Sequence, residues 1–108
     1  MGKLPITGWP SNVIRELKSI VRKIAEHPSV KKSYIGKTND PDRRKTEHDC
    51  DDLVVIYETS SPGHAQQAEY DLINAFWMHP KCSNGAPGGG GPAADEYWQY
   101  VYVAVWFW

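Results

Sequence analysis

Ser33-Tyr34-Ile35-Gly36-Lys37-Thr38, continuing through Asn39-Asp40-Pro41-Asp42-Arg43-Arg44 to Glu47-His48, reads as a short strand, a polar turn and the opening of a helix. Asp40 suits the helix N-cap and Pro41 the first helical position, where a missing N–H costs nothing. Arg44 and His48 stand four residues apart and therefore share a face of that helix. The helix, 41 to about 48, is short and polar, so the edge of a sheet must hold it. Tyr, Lys, Arg and His are side chains that contact phosphate or move protons, and a strand–turn–helix corner aims them from rigid backbone. The corner is a candidate site.

The flanking segments supply the frame. Pro5, Gly8 and Pro10 make residues 1–10 an irregular lead-in. Ser11 is the expected N-cap of a basic amphipathic helix to about Glu26. Its apolar stripe is Ile14, Leu17, Val21 and Ile24, and Arg15, Lys18, Arg22 and Lys23 turn to solvent. His27-Pro28-Ser29 ends it, and residues 30–36 form the first strand. After the acidic turn Asp49-Cys50-Asp51-Asp52, the run Leu53–Glu58 is apolar and β-branched, as in a buried strand. Ser60-Ser61-Pro62-Gly63 is a loop and a helix start, and the pattern is helical from His64 to about His79. Glu69 lies within that helix's stripe of Ala65, Leu72, Ile73 and Phe76, where a carboxylate is costly unless it is paired or binds a cation. The corner bearing Tyr34 and Arg44 is its natural partner.

Residues 80–92 read as a loop. Its four glycines, 88–91, are either a linker or backbone able to cradle phosphate. Residues 97–108 are strand-like, with Tyr100, Tyr102, Ala104 and Trp106 on one face and Val101, Val103, Val105 and Phe107 on the other. The whole is expected to be one α+β domain of residues 1–108, with a small, mostly antiparallel three-stranded sheet flanked by helices.

Composition limits the function classes. At 108 residues there is room for one core. No secretory signal is expected, since Met1-Gly2-Lys3-Leu4-Pro5 leads into no apolar run, and no stretch reaches the roughly 20 apolar residues of a membrane span. Cys50 and Cys82 are expected as free thiols in a reducing, intracellular setting. Net charge is -1, but it is divided unevenly. Up to Thr46 there are eleven Lys/Arg against four acids, and from Glu47 onward one against nine. A basic face for a polyanion is the functional reading, and solvated helix faces are the plain one. His48, Cys50, His79 and Cys82 have zinc-ligand chemistry but the spacing of no standard finger.

Tyr34-Ile35-Gly36, Arg44 ten residues after the tyrosine, His48, Glu69 on the following helix and Asn84 beyond it form an ordered set that resembles the GIY-YIG nuclease domain. The resemblance covers roughly residues 30–91. It departs in one respect: the Gly-Ile-Tyr strand that precedes the Tyr-Ile-Gly strand in that family is absent, and the basic helix stands in its place. Val101-Tyr102-Val103 is a replacement if the domain is circularly permuted, with Tyr102 as the missing tyrosine. The alternative is an ordinary edge strand.

The resemblance implies a metal-dependent endonuclease that hydrolyses DNA phosphodiester bonds with one Mg²⁺ or Mn²⁺. Glu69 would be the metal ligand and Arg44 the grip on the scissile phosphate. Tyr34 and Tyr102 would bracket the attacking water. A tyrosine is a poor base unless its pKa is lowered, so His48 is an alternative base. Lys37 would lower the tyrosine's pKa or hold a phosphate. Asn84 would bond a phosphate oxygen or fix its loop, while Arg43 and Lys45 flank Arg44 as further substrate-binding candidates. The expected substrate is branched, damaged or unspecific duplex DNA, with specificity from a homodimer or a protein partner. A different class, a catalytically weak nucleic-acid-binding module or partner-docking domain, uses the same basic groove or the aromatic C-terminus.

Overall fold

The computed structural model describes residues 4–84 and 98–108. In chain order the elements are α1 (Pro10–Ala25), β1 (Val30–Thr38), α2 (Pro41–His48), β2 (Asp52–Thr59), α3 (Pro62–Phe76) and β3 (Gln99–Phe107). The architecture is α+β, as expected. The three strands form one antiparallel sheet in the order β1-β3-β2. The last strand in sequence is thus the central one. Lys32 faces Trp106 across the ladder, Tyr34 faces Ala104 and Gly36 faces Tyr102, while Val55 faces Tyr102 from the other side.

Alternation along β3 divides the protein into two layers of unequal weight. Val101, Val103 and Val105 join Ile35, Leu17, Val21, Ala65 and Leu72 in a core between the sheet and the helices α1 and α3. Each large aliphatic side chain buried there contributes about 1.5–3 kcal/mol. The opposite face carries Tyr34, Gly36, Tyr102, Ala104 and Trp106, and the short α2 packs against it on β2 and β3. Tyr34 and Tyr102 therefore lie under a two-turn helix and not inside the main core.

Each of the three described helices opens on a proline: Pro10, Pro41 and Pro62. This moves one expected start. α1 begins at Pro10, preceded by Trp9 with no side-chain cap, so Ser11 is not the N-cap. α3 begins at Pro62, with the Ser61 hydroxyl accepting from the His64 N–H at 3.2 Å, and ends at Phe76. Pro80 disfavours helical backbone at His79, which limits the helix from that side. α2 starts as expected, with the Asp40 carboxylate accepting from the Arg43 N–H.

Two further expectations are corrected. β2 is an edge strand, not a buried one: Ile56 and Tyr57 are fully buried, whereas Leu53, Val54 and Val55 are half-buried. α2 rests on the sheet face through His48, and not on its edge. The lead-in is partly ordered by the sheet. Ile6 pairs along β2 through Ile6 N–H to the Ile56 carbonyl and Glu58 N–H to the Ile6 carbonyl, closing part of that edge. Residues 85–97, including the four-glycine run, lie outside the described residues.

Candidate active site

Gly36 explains how the site is assembled. A Cβ at this position would overlap the Tyr102 phenol at its hydroxyl and ring carbon Cζ. Because position 36 has no side chain, Tyr102 lies flat across β1 toward the outer edge of the sheet. Its ring is buried, and its hydroxyl meets Nε2 of His48, on the last turn of α2, at 2.7 Å. The His48 ring also lies against Tyr34, with centroids 4.9 Å apart, and meets Trp106 edge-on at 6.2 Å. Tyr34, His48 and Tyr102 thus form one aromatic cluster drawn from three different elements.

The electrostatics set the charge state of the His48–Tyr102 pair. Burial is the main cause that lowers the His48 pKa, and the Arg44 charge adds to it. Burial likewise raises the Tyr102 pKa well above its ordinary value. At neutral pH both groups are uncharged. With the imidazole proton on Nδ1, Tyr102 donates to His48 Nε2, and the phenol oxygen keeps its acceptor positions for another donor.

The charged residues border this cluster. Glu69, on α3, is half-buried, and desolvation raises its pKa. The Lys37 ammonium, the Lys37 backbone amide and the Arg44 guanidinium each oppose that rise, so all of them bear on the carboxylate. Glu69 and Arg44 also act on Tyr102. The carboxylate of α3 is therefore bonded to the Lys37 backbone and feels the charges of the corner. Among the described residues no three His, Cys, Asp or Glu cluster as a ready metal cage. The donor set is one half-buried carboxylate, which fits a hard, hydrated cation of the Mg²⁺ type, since such an ion keeps most of its waters.

Arg44 is partly engaged, with Nη1 3.4 Å from Glu47, while its Nε is buried without a hydrogen-bond partner among the described residues. An unmatched buried donor is rare in folded proteins. Arg43 lies 3.9 Å from the same Glu47 and is exposed, as is Lys45. Both line the solvent side of α2 and not the cluster. Asn84 fixes its loop: its Oδ1 accepts from the Ile35 N–H and its Nδ2 donates to the Ile35 carbonyl, both at 2.8 Å. With Ser33 bonded to Lys81 and Ser83, this closes the outer edge of β1.

The zinc-ligand candidates are dispersed. Cys50 is paired with the Lys45 carbonyl, Cys82 with Asn84 and His79 with Glu26. Phe107 lines an apolar groove beside α1, on the far side of the sheet from His48, and Trp108 is 81% exposed. Sequence reasoning missed Trp106 as a neighbour of the site, although strand alternation already put it on the Tyr102 face. It also missed Gly36 as the seat of the Tyr102 ring, which only the strand register reveals.

Comparison with protein-family models, with curated proteins and with solved structures gives no match for this chain. No described helix is long and apolar enough to cross a membrane.

Proposed function

We propose that this chain is a metal-dependent endonuclease hydrolysing DNA phosphodiester bonds with low intrinsic sequence specificity. The observation that carries the reading is the 2.7 Å hydrogen bond between Tyr102 and a neutral His48, within the field of Arg44 and Glu69. Pure binding needs no carboxylate in the groove, where it would repel phosphate. A proton acceptor, a guanidinium and a hard oxygen donor are the parts that hydrolysis requires.

The geometry supports the following roles. A water held by the Tyr102 oxygen, with Tyr34 on its other side, gives its proton to that oxygen as the Tyr102 proton passes to His48 Nε2. The resulting hydroxide attacks phosphorus, and the bond to the 3′-oxygen breaks. Tyr102 never has to exist as a free phenolate, which its raised pKa would forbid near neutrality. Arg44 meets the non-bridging oxygens, and its unmatched Nε supplies a donor not spent on the fold. Glu69 is the residue that would hold Mg²⁺ or Mn²⁺, and such an ion when bound neutralises charge on the leaving oxygen. Lys37 is the second cation beside that carboxylate. Cys50 and Cys82, both free thiols, support a reducing, intracellular setting. Specificity would come from a second copy or a protein partner.

Supercoiled plasmid and branched DNA, incubated with Mg²⁺ or Mn²⁺, test the reading. The expected result is cleavage by the wild type that EDTA abolishes and that Glu69→Ala lacks. DNA binding with steep salt dependence and no cleavage by either protein overturns it in favour of a binding module.

A further inference from the structure

We propose that Lys32, held on the face of Trp106, binds the backbone phosphate next to the scissile one. This inference rests on the nuclease reading and extends it to the path of the strand beyond the site. Lys32 Nζ lies 4.2 Å from the Trp106 ring centroid, a cation–π contact. Lys32 is exposed and makes no ion pair among the described residues. Its charge is thus localised without being neutralised.

The ring that holds it is itself fixed. Trp106 Nε1 donates to the Asp49 carbonyl at 3.1 Å, and one ring edge meets His48. Asp49 caps α2 in the left-handed conformation, φ 53°, which ends the helix beside Trp106. The same helix end therefore positions both the candidate base and the platform under Lys32. A lysine already held in place loses less rotamer freedom when it meets a phosphate.

The placement gives a direction. Lys32 and Tyr34 share a sheet face two residues apart, about 7 Å along β1. That distance suits a neighbouring phosphate and not the scissile one. On the other side of β3 stand Asp51 and Asp52. Asp51 is tied to the Phe107 N–H and Asp52 to the Leu53 N–H, so their charges are held in place there. A polyanion is repelled from the β2 side and drawn to the β1 side, where Lys32 stands.

The test is the salt dependence of binding to a short fluorescently labelled DNA duplex, by anisotropy in EDTA from 50 to 200 mM NaCl. Lys32→Gln is expected to lower the slope of log K against log salt by about 0.9, the value of one duplex phosphate contact. Lys32→Arg should keep the slope. Arg15→Gln, exposed on α1 across the sheet, should also leave it unchanged. Trp106→Leu, with the ammonium intact, should lower it, and the double variant should lose no more than Lys32→Gln alone.

An unchanged slope for Lys32→Gln, or an equal loss for Arg15→Gln, overturns the proposal. It stands on Lys32 alone if Trp106→Leu does not fold. Plasmid cleavage measured in parallel separates the two ideas. Cleavage with an unchanged Lys32→Gln slope refutes only the phosphate contact. No cleavage with a reduced slope refutes the nuclease reading and leaves Lys32 as a phosphate contact of a binding module. A wild type that does not bind DNA refutes both.

Discussion

The Tyr102 hydroxyl and His48 Nε2 lie 2.7 Å apart, although 54 residues separate them in the chain. If the pair acts as one proton-accepting unit, removing either member disables it. Tyr102→Phe and His48→Ala should each lower the cleavage rate by about 10²–10⁴-fold. The double variant should be no slower than the slower single, because residues acting as a unit are non-additive. Multiplying losses, in single-turnover rates, would show that the two act independently.

The same pair sets a pH profile. The His48 pKa lies below its ordinary 6.5 in the folded protein. Cleavage should therefore fall only below about pH 6.5, as His48 gains its proton, with no loss from Tyr102 ionisation at mildly alkaline pH, since that pKa is raised. Stability should follow the same sign. Between the folded-state pKa and 6.5 the unfolded chain binds more protons, so stability declines as pH falls through this window and levels off below it. Urea unfolding of the wild type beside His48→Gln checks this, because the variant should lack that part of the slope.

Glu69 sets stability against activity. Burial raises its pKa, so the folded protein binds more protons than the unfolded chain between the ordinary value of 4.5 and the raised one. This contribution declines as pH rises through that window, and at neutral pH the ionised carboxylate costs stability. Glu69→Gln should melt at or above the wild-type temperature at pH 7 while losing metal-dependent cleavage. A melting temperature several degrees lower would mean that the carboxylate serves the fold.

Asn84 acts through the edge of β1. Its amide makes two hydrogen bonds to one residue, Ile35. Asn84→Ala leaves a half-buried N–H and carbonyl unpaired and should cost about 1–3 kcal/mol. Amide exchange at Ile35 should accelerate more than at Val103 on the central strand. Equal protection at both positions, before and after substitution, would remove Asn84 from that role.

Much of this was legible in the residues because it rests on local signals. Asp40-Pro41 marked α2 to the residue, and the alternation of 100–106 put Tyr102 and Trp106 together on one face. Strand order was not local. Nothing in Leu53–Glu58 distinguishes a central strand from an edge one, since an apolar run suits both. β3 takes the centre because Val101, Val103 and Val105 feed the main core while Tyr102 and Trp106 meet α2, so this strand alone is sandwiched along most of its length. Glu69 stood out by its place in an apolar stripe, which is a strong signal. The role of Gly36 carried no signal, because a glycine's function here is the space it leaves for a side chain 66 positions away.

That space yields the last prediction. Gly36→Ala would set a methyl group into the Tyr102 ring, and β1 cannot recede because β3 on one side and residues 81–84 on the other hold it. The ring must move instead, and with it the hydroxyl that meets His48. Overpacking of this kind costs about 1–3 kcal/mol, and cleavage should fall about as far as in Tyr102→Phe. The backbone of Gly36 needs no left-handed conformation, since Gly8 is the described glycine with positive φ. The cost should therefore come from the collision alone. In a Tyr102→Ala background the same Gly36→Ala change should be nearly neutral in urea unfolding. A cost that persists without the ring would place the role of Gly36 in the backbone and leave the seating of Tyr102 to some other contact.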